Sequence, residues 1–154
     1  MGNKTKIAVK ALVILFLVLA IGFILSKPED KENITYKNAT EDLIAVELPF
    51  PRAVTGKEFS VIGKARGYWF FEASFPVEVL DKDGKSLAIG IAQAQPDPAT
   101  GEINWMTENF VPFKADIKVL SNYIGPATLI LKKDNPSSLL DKEAFISFPI
   151  IIEY

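Results

Sequence analysis

The stretch Gly63–Pro76, GKARGYWFFEASFP, decides the fold. From Phe71 onwards the side chains alternate, so that Phe71 and Phe75 share one face while Glu72 and Ser74 share the other. A period of two is typical of a half-buried strand, and it predicts that Phe71 lies in the core. The residues before Gly63 alternate in the same way. The stretch therefore predicts two strands joined by a tight, aromatic corner.

Seven segments of the chain have such alternation and are separated by turn signals, among them the hairpin signal Asp83-Gly84. The predicted strands are Leu43–Leu48, Phe59–Ala65, Ala73–Asp81, Ser86–Gln95, Phe110–Leu120, Ala127–Lys132 and Ala144–Glu153. We therefore predict an all-β fold over residues 43–154, namely an immunoglobulin-like antiparallel sandwich of about seven strands.

The N-terminal segment is apolar enough to cross a bilayer. Ala11–Leu25 contains no polar side chain, and Lys10 can extend to the membrane interface. We predict one N-terminal transmembrane helix, a signal anchor at residues 1–26, followed by a polar linker at residues 27–42. The basic flank predicts a cytoplasmic N-terminus and an extracytoplasmic C-terminal domain at the cell membrane. The alternative is a cleaved signal peptide, although no small-x-small cleavage pattern follows.

Composition excludes several kinds of chemistry. The chain has no Cys and no His, which removes disulfides, thiol nucleophiles, the commonest general base and the commonest transition-metal ligand. The first 26 residues carry three lysines and no acid, so the acidic excess falls on the remainder. An acidic body argues against nucleic acid as a partner. We predict no catalytic residue, no metal and no cofactor.

Three runs of sequence resemble a known family: GKARGYWFFEASFPVEVLDKDGKSLAIGIAQA at 63–94, WMTENFVPF at 105–113 and DNPS at 134–137. They are similar to the immunoglobulin-like domain of bacterial spore germination proteins, over about residues 43–154. The resemblance implies an extracytoplasmic all-β module of the cell envelope that has no catalytic residues and binds no cofactor.

Two aromatic clusters are the candidate binding site. Trp69 and Phe70 at the corner, with Trp105 and Met106 after the longest loop, could present an apolar platform to another envelope protein or to cell-wall glycan. The alternative is that these rings fill the core and that Trp105 anchors its loop.

The corner also carries charge. Arg66, Gly67 and Glu72 are predicted to be structural, with Glu72 in a charge pair or bound to backbone N–H groups. A second possibility is a carboxylate-based wall hydrolase that uses Glu72 with Asp81 or Asp134. Asp81, Asp83 and Asp134 could instead bind calcium if their loops meet, but a hairpin turn already explains Asp81 and Asp83.

Taken together, the sequence favours a membrane-anchored, non-enzymatic interaction module of the cell envelope. Besides the wall hydrolase, the alternative is a structural subunit that associates with copies of itself through exposed strand edges.

Overall fold

The structure is a computed structural model that describes residues 33–135 and 142–154. Within them the chain is almost entirely β, and a short 3-10 turn, Gly67–Trp69, follows the fourth strand. All seven predicted strands are present, with bounds within two residues of the expected ones. The strands are β1 Thr35–Lys37, β2 Ile44–Leu48, β3 Val54–Thr55, β4 Glu58–Arg66, β5 Ser74–Asp81, β6 Ser86–Ala94, β7 Phe110–Lys118, β8 Gly125–Lys132 and β9 Phe145–Ile152.

The strands form one curled sheet in the order β1-β9-β8-β5-β6-β7-β4-β2, in which all neighbours are antiparallel. The pairing between β6 and β7 covers two residue pairs, Gln93 with Lys114 and Ala94 with Phe113. The sheet therefore bends at this joint, and its two halves face each other across the core. This all-β arrangement fits the predicted immunoglobulin-like architecture.

The core follows from the alternation in the sequence. On β7, Phe113, Ala115 and Ile117 are buried, while Lys114 and Asp116 are exposed. Alternate side chains of β4, β5, β8 and β9 enter the same cluster. Burial of apolar surface from both halves of the sheet is the main term that stabilises the fold.

Two short strands were not expected. Thr35–Lys37, which lies within the predicted linker 27–42, pairs with the first half of β9, and Val54–Thr55 pairs in parallel with its end. The side chains of β1 are exposed, so no apolar alternation marks it in the sequence. Together β1 and β3 cover the outer edge of β9, and part of the predicted linker is therefore strand.

The predicted membrane anchor, residues 1–26, lies outside the described residues. In the described ranges, residues 33–135 and 142–154, no helix has the length and hydrophobicity needed to cross a membrane.

Candidate functional site

The corner after β4 is built on Gly67. A β-carbon at this position would overlap the carbonyl oxygens of Thr107 and Trp105, so only glycine fits. The backbone N–H of Gly67 donates to the carbonyl of Asn109 at 3.2 Å. The long loop between β6 and β7 therefore packs directly on the corner, and the two aromatic segments of the sequence meet in one region of the molecule.

Arg66 ties this region together. Its Nε donates to the carbonyl of Asp42 at 2.9 Å and its Nη1 to the carbonyl of Glu108 at 3.2 Å. Its guanidinium carbon lies 4.1 Å from the ring centroid of Phe110. The guanidinium group is planar and has several N–H donors, so it can donate to two carbonyls and stack on an aromatic ring at the same time. The structural role predicted for Arg66 and Gly67 thus has a geometric basis.

Glu72 does not join Arg66. Glu72 and Ala73 have φ values of 50° and 61°, and they form a tight turn closed by two backbone hydrogen bonds between Phe71 and Ser74. This turn directs the Glu72 side chain into solvent. In the described part of the chain Glu72 forms no ion pair. The expected charge pair is wrong, because the turn points the carboxylate away from the corner.

Trp69 and Phe70 are core residues in this structure. Trp69 is fully buried, Phe70 is 6% exposed, and the Phe70 ring meets the Phe75 ring edge-on at 5.2 Å. Neither side chain can reach a partner without opening the core. The indole Nε1 of Trp69 is buried without a hydrogen-bond partner among the described residues. The alternative that these rings fill the core therefore describes them better than the exposed platform does.

The exposed side chains of the corner are Tyr68 and Phe71, at 49% and 47%. The prediction that Phe71 lies in the core is wrong, because β5 begins only at Ser74 and the positive-φ turn before it interrupts the alternation. On the facing loop, Trp105 packs partly buried against the core, as a loop anchor would, and Met106 is 77% exposed.

We refer to Tyr68, Phe71, Ile103 and Met106 as the loop-end surface. All four are large apolar side chains with about half or more of their area in solvent. Sequence reasoning selected Met106 and missed the other three. The signal for Tyr68 was present in the YWFF quartet, since Tyr68 and Trp69 are adjacent in the 3-10 turn and cannot both face inwards.

A surface groove of about 550 Å³ runs beside Tyr68. Arg66 and Asn109 line it, together with Asp42, Leu43 and Glu108. The Lys133 ammonium lies 5.6 Å from the ring centroid of Tyr68, the aromatic side chain that lines the groove. The groove is open and mixed in charge, so it can accommodate a chain segment of a partner next to the apolar residues.

Glu72 and Asp81, one of the two carboxylate pairs proposed for hydrolysis, do not come together. Glu72 precedes β5 and Asp81 ends it, which separates them by roughly 25 Å of extended strand, far more than the ~10 Å that glycoside hydrolysis allows. Asp81 Oδ1 instead accepts from the backbone N–H groups of Asp83 and Lys85 at 2.9 and 2.8 Å. The hydrogen bond from Lys85 is the main reason that the pKa of Asp81 lies below its usual value.

Asp134 lies too far from Asp81 for the two to share a calcium ion. Asp81 pairs with Ala127 at one end of β8, while Asp134 follows the other end and donates its N–H to the carbonyl of Trp69 at 3.3 Å. In residues 33–135 and 142–154 no three acidic, His or Cys side chains come together as metal ligands.

Comparison with protein-family models matches residues 43–137 to the immunoglobulin-like domain of bacterial spore germination. The chain belongs to this family. The match spans β2 to β8 and includes the whole of the corner and the long loop. The spore germination immunoglobulin-like family is one of non-catalytic domains. The chain matches no curated protein and no solved structure.

Proposed function

We propose that this spore germination-type immunoglobulin-like domain is a non-catalytic binding module of the bacterial cell envelope, and that its loop-end surface holds a protein partner. The observation that carries the proposal is the exposure of Tyr68, Phe71 and Met106 on a corner that the buried Gly67 contact makes rigid. Exposed aromatic and Met side chains on a rigid support are enriched at the centres of protein interfaces.

The chemistry of the surface favours a protein over cell-wall glycan. Tyr68, one of the four apolar side chains, lines the 550 Å³ groove together with Arg66 and Asn109. A partner can therefore place an apolar anchor on Met106 and a polar chain segment in the groove. This arrangement, an apolar centre with a polar rim, is the usual anatomy of a protein interface.

The proposed location follows from the N-terminal segment. We propose that residues 1–26 anchor the chain, with the N-terminus in the cytoplasm and the domain outside the membrane, because the basic flank precedes the apolar run. The absence of Cys makes a direct test possible. A membrane-impermeant maleimide applied to intact cells should label Leu120→Cys and leave Lys4→Cys unlabelled. Labelling of Lys4→Cys alone, or of neither position, would contradict the proposed topology.

The binding proposal is tested by photocrosslinking in intact cells. A photoreactive amino acid at position 106 or 68 of the full chain should give one defined protein adduct. The same amino acid at Leu120, which is 82% exposed and lies near the opposite end of β4 and β7, should not. Equal adducts at all three positions would reject the loop-end surface. Adducts that lysozyme releases as glycan fragments would show that the partner is the wall.

A further inference from the structure

The segment that crosses from β2 to β9, residues 48–55, has its polarity reversed. Its alternate side chains point outwards, and Leu48, Phe50 and Val54 among them are 51%, 61% and 58% exposed. Thr55, by contrast, is buried. In β3 the valine therefore faces outwards and the threonine is covered, which is the opposite of the arrangement that a strand in contact with water normally has.

The exposed apolar side chains continue onto β9 and surround one cation. Val54 lies opposite Ile151, which is also exposed, and Arg52 donates its backbone N–H to the carbonyl of Pro149 at 2.6 Å. The Arg52 side chain is exposed and forms no ion pair among the described residues, and residues 48–55 contain no acidic side chain. We refer to this surface as the β3 edge, formed by Leu48, Phe50, Arg52, Val54 and Ile151.

The chain enters the domain beside the β3 edge. Thr35 of β1 pairs with Ser147, and the N–H of Arg52 meets Pro149, two residues further along the same outer edge of β9. Two residues of strand correspond to about 7 Å. Because β1 is antiparallel to β9, the chain before Thr35 comes from the direction of Pro149, and it therefore reaches the sheet close to Arg52.

The length of chain before this point limits how far the β3 edge can lie from a membrane. The proposed anchor ends at residue 26, and Asn33 is the first described residue. We call the residues between them the tether, and seven residues span at most about 25 Å. The nine residues of β4 alone measure about 30 Å. Given the proposed anchor, the short tether keeps the β3 edge within reach of the bilayer.

We propose that the β3 edge lies on the lipid bilayer, with Phe50 and Val54 among the headgroups and Arg52 bound to the phosphate of an anionic phospholipid. Aromatic and aliphatic side chains next to a cation are typical of surfaces that bind the membrane interface. The inference rests on the proposed anchor, which brings this edge to lipid. An added strand fits the edge poorly, because Pro49 and Pro51 have no N–H to donate to it.

The absence of Cys allows this contact to be measured in the full-length chain, reconstituted in vesicles of phosphatidylcholine and phosphatidylglycerol. A polarity-sensitive fluorophore on Phe50→Cys or Val54→Cys should shift its emission to the blue, and lipids with a quencher near the headgroup should quench it. The same fluorophore on Ile89→Cys, which is 70% exposed on the outer side of β6, should remain in water. Equal quenching at all three positions, or no quenching at positions 50 and 54, would overturn the proposal.

The charge of Arg52 provides a second measurement. With the fluorophore on Val54→Cys, Arg52→Gln should lower the ratio of lipid-bound to free domain by about fivefold. Vesicles without phosphatidylglycerol should show a similar loss for the unmodified Arg52. Lys64→Gln removes an exposed cation from β4 and should leave the ratio unchanged. An Arg52→Gln variant that binds as well as its parent would show that Arg52 does not contact an anionic headgroup, which would reject the proposal.

Failure of this inference can be distinguished from failure of the proposed anchor. If alkaline carbonate extracts the chain from the vesicles, the anchor is wrong and the inference falls with it. If the chain stays in the vesicles while the fluorophore on Val54→Cys remains in water, the anchor stands and the lipid contact alone is rejected. A Val54→Cys thiol that is protected from maleimide in intact cells but not in vesicles would identify a protein as the occupant and would also reject lipid.

Discussion

The backbone of Gly67 lies in contact with the carbonyl oxygen of Thr107, with no space for a side chain between them. This contact fixes the long loop on the corner after β4, and it places Met106 beside the strand connection that carries Tyr68 and Phe71. The geometry of the proposed binding surface therefore depends on a residue that has no side chain.

Replacing Gly67 with alanine should separate the loop from the corner. The added β-carbon meets backbone oxygens, which cannot move as a flexible side chain would, so we expect a loss of about 2–3 kcal/mol in the free energy of unfolding. Urea denaturation followed by tryptophan fluorescence measures the change. Gly56→Ala is the control, since its β-carbon would lie 3.9 Å from the nearest atom. Equal losses in the two variants would show that the contact at Gly67 is not tight.

Arg66→Lys should weaken the same region while keeping the charge. A lysine cannot serve the carbonyls of Asp42 and Glu108 together and also stack on Phe110, so we expect the free energy of unfolding to fall by about 1–2 kcal/mol. Arg52→Lys, at an exposed site, should leave stability unchanged. Equal changes in the free energy of unfolding for the two variants would show that Arg66 stabilises the region only through its charge.

Trp69 allows a test of its unpaired indole N–H. Trp69→Ala should cost about 3–5 kcal/mol, since it leaves a large cavity. Trp69→Phe should cost only about 1 kcal/mol, because it also removes a buried donor that has no partner among the described residues. Thermal unfolding of both variants gives the comparison. A Trp69→Phe variant as unstable as Trp69→Ala would show that the N–H is hydrogen-bonded in solution.

The ion pair between Glu78 and Lys132 predicts a dependence on pH. Because the pKa of Glu78 is lowered in the folded chain, the carboxylate stabilises the fold above its ordinary value of 4.5, and this contribution is lost as pH falls through the folded-state pKa. Glu78→Gln should therefore cost about 0.5–1 kcal/mol at pH 7 and clearly less near pH 3. Urea denaturation at both pH values measures this difference. The exposed Glu47→Gln should have no effect at either pH, and a constant loss in Glu78→Gln would exclude the ion pair as its cause.

The strands were predictable because each buries one face. Apolar and polar residues alternate from Phe113 to Ile117 in the sequence, and buried and exposed side chains alternate at the same positions in the structure. The edge strand β1 was not predictable, since Thr35–Lys37 exposes every side chain and is held by backbone hydrogen bonds that any sequence can form.

The sequence predicted where the candidate site lies, but it did not predict which side chains form its exposed surface. The sequence pointed to the corner and to the loop before β7, and the structure brings these together. Which ring faces solvent depends on the 3-10 turn and on the positive φ of Glu72 and Ala73. Neither residue is a glycine or asparagine, the residue types that usually indicate a left-handed turn. The alternation of β5 was therefore extended from Phe75 back to Phe71, and this placed Phe71 on the buried face instead of the exposed one.

The pairing of Thr35–Lys37 with β9 has a mechanical consequence. The strand β1 runs towards the end of the sheet where the corner lies, since Lys37 pairs with Phe145 and Phe145 with Lys132. Tension between residue 35 and a partner held at Met106 is thus directed along the strands. It loads the interstrand hydrogen bonds in shear, all at once, instead of peeling them apart one after another. If the proposed anchor and the proposed partner hold the domain at these two ends, the fold is in this way suited to bear load.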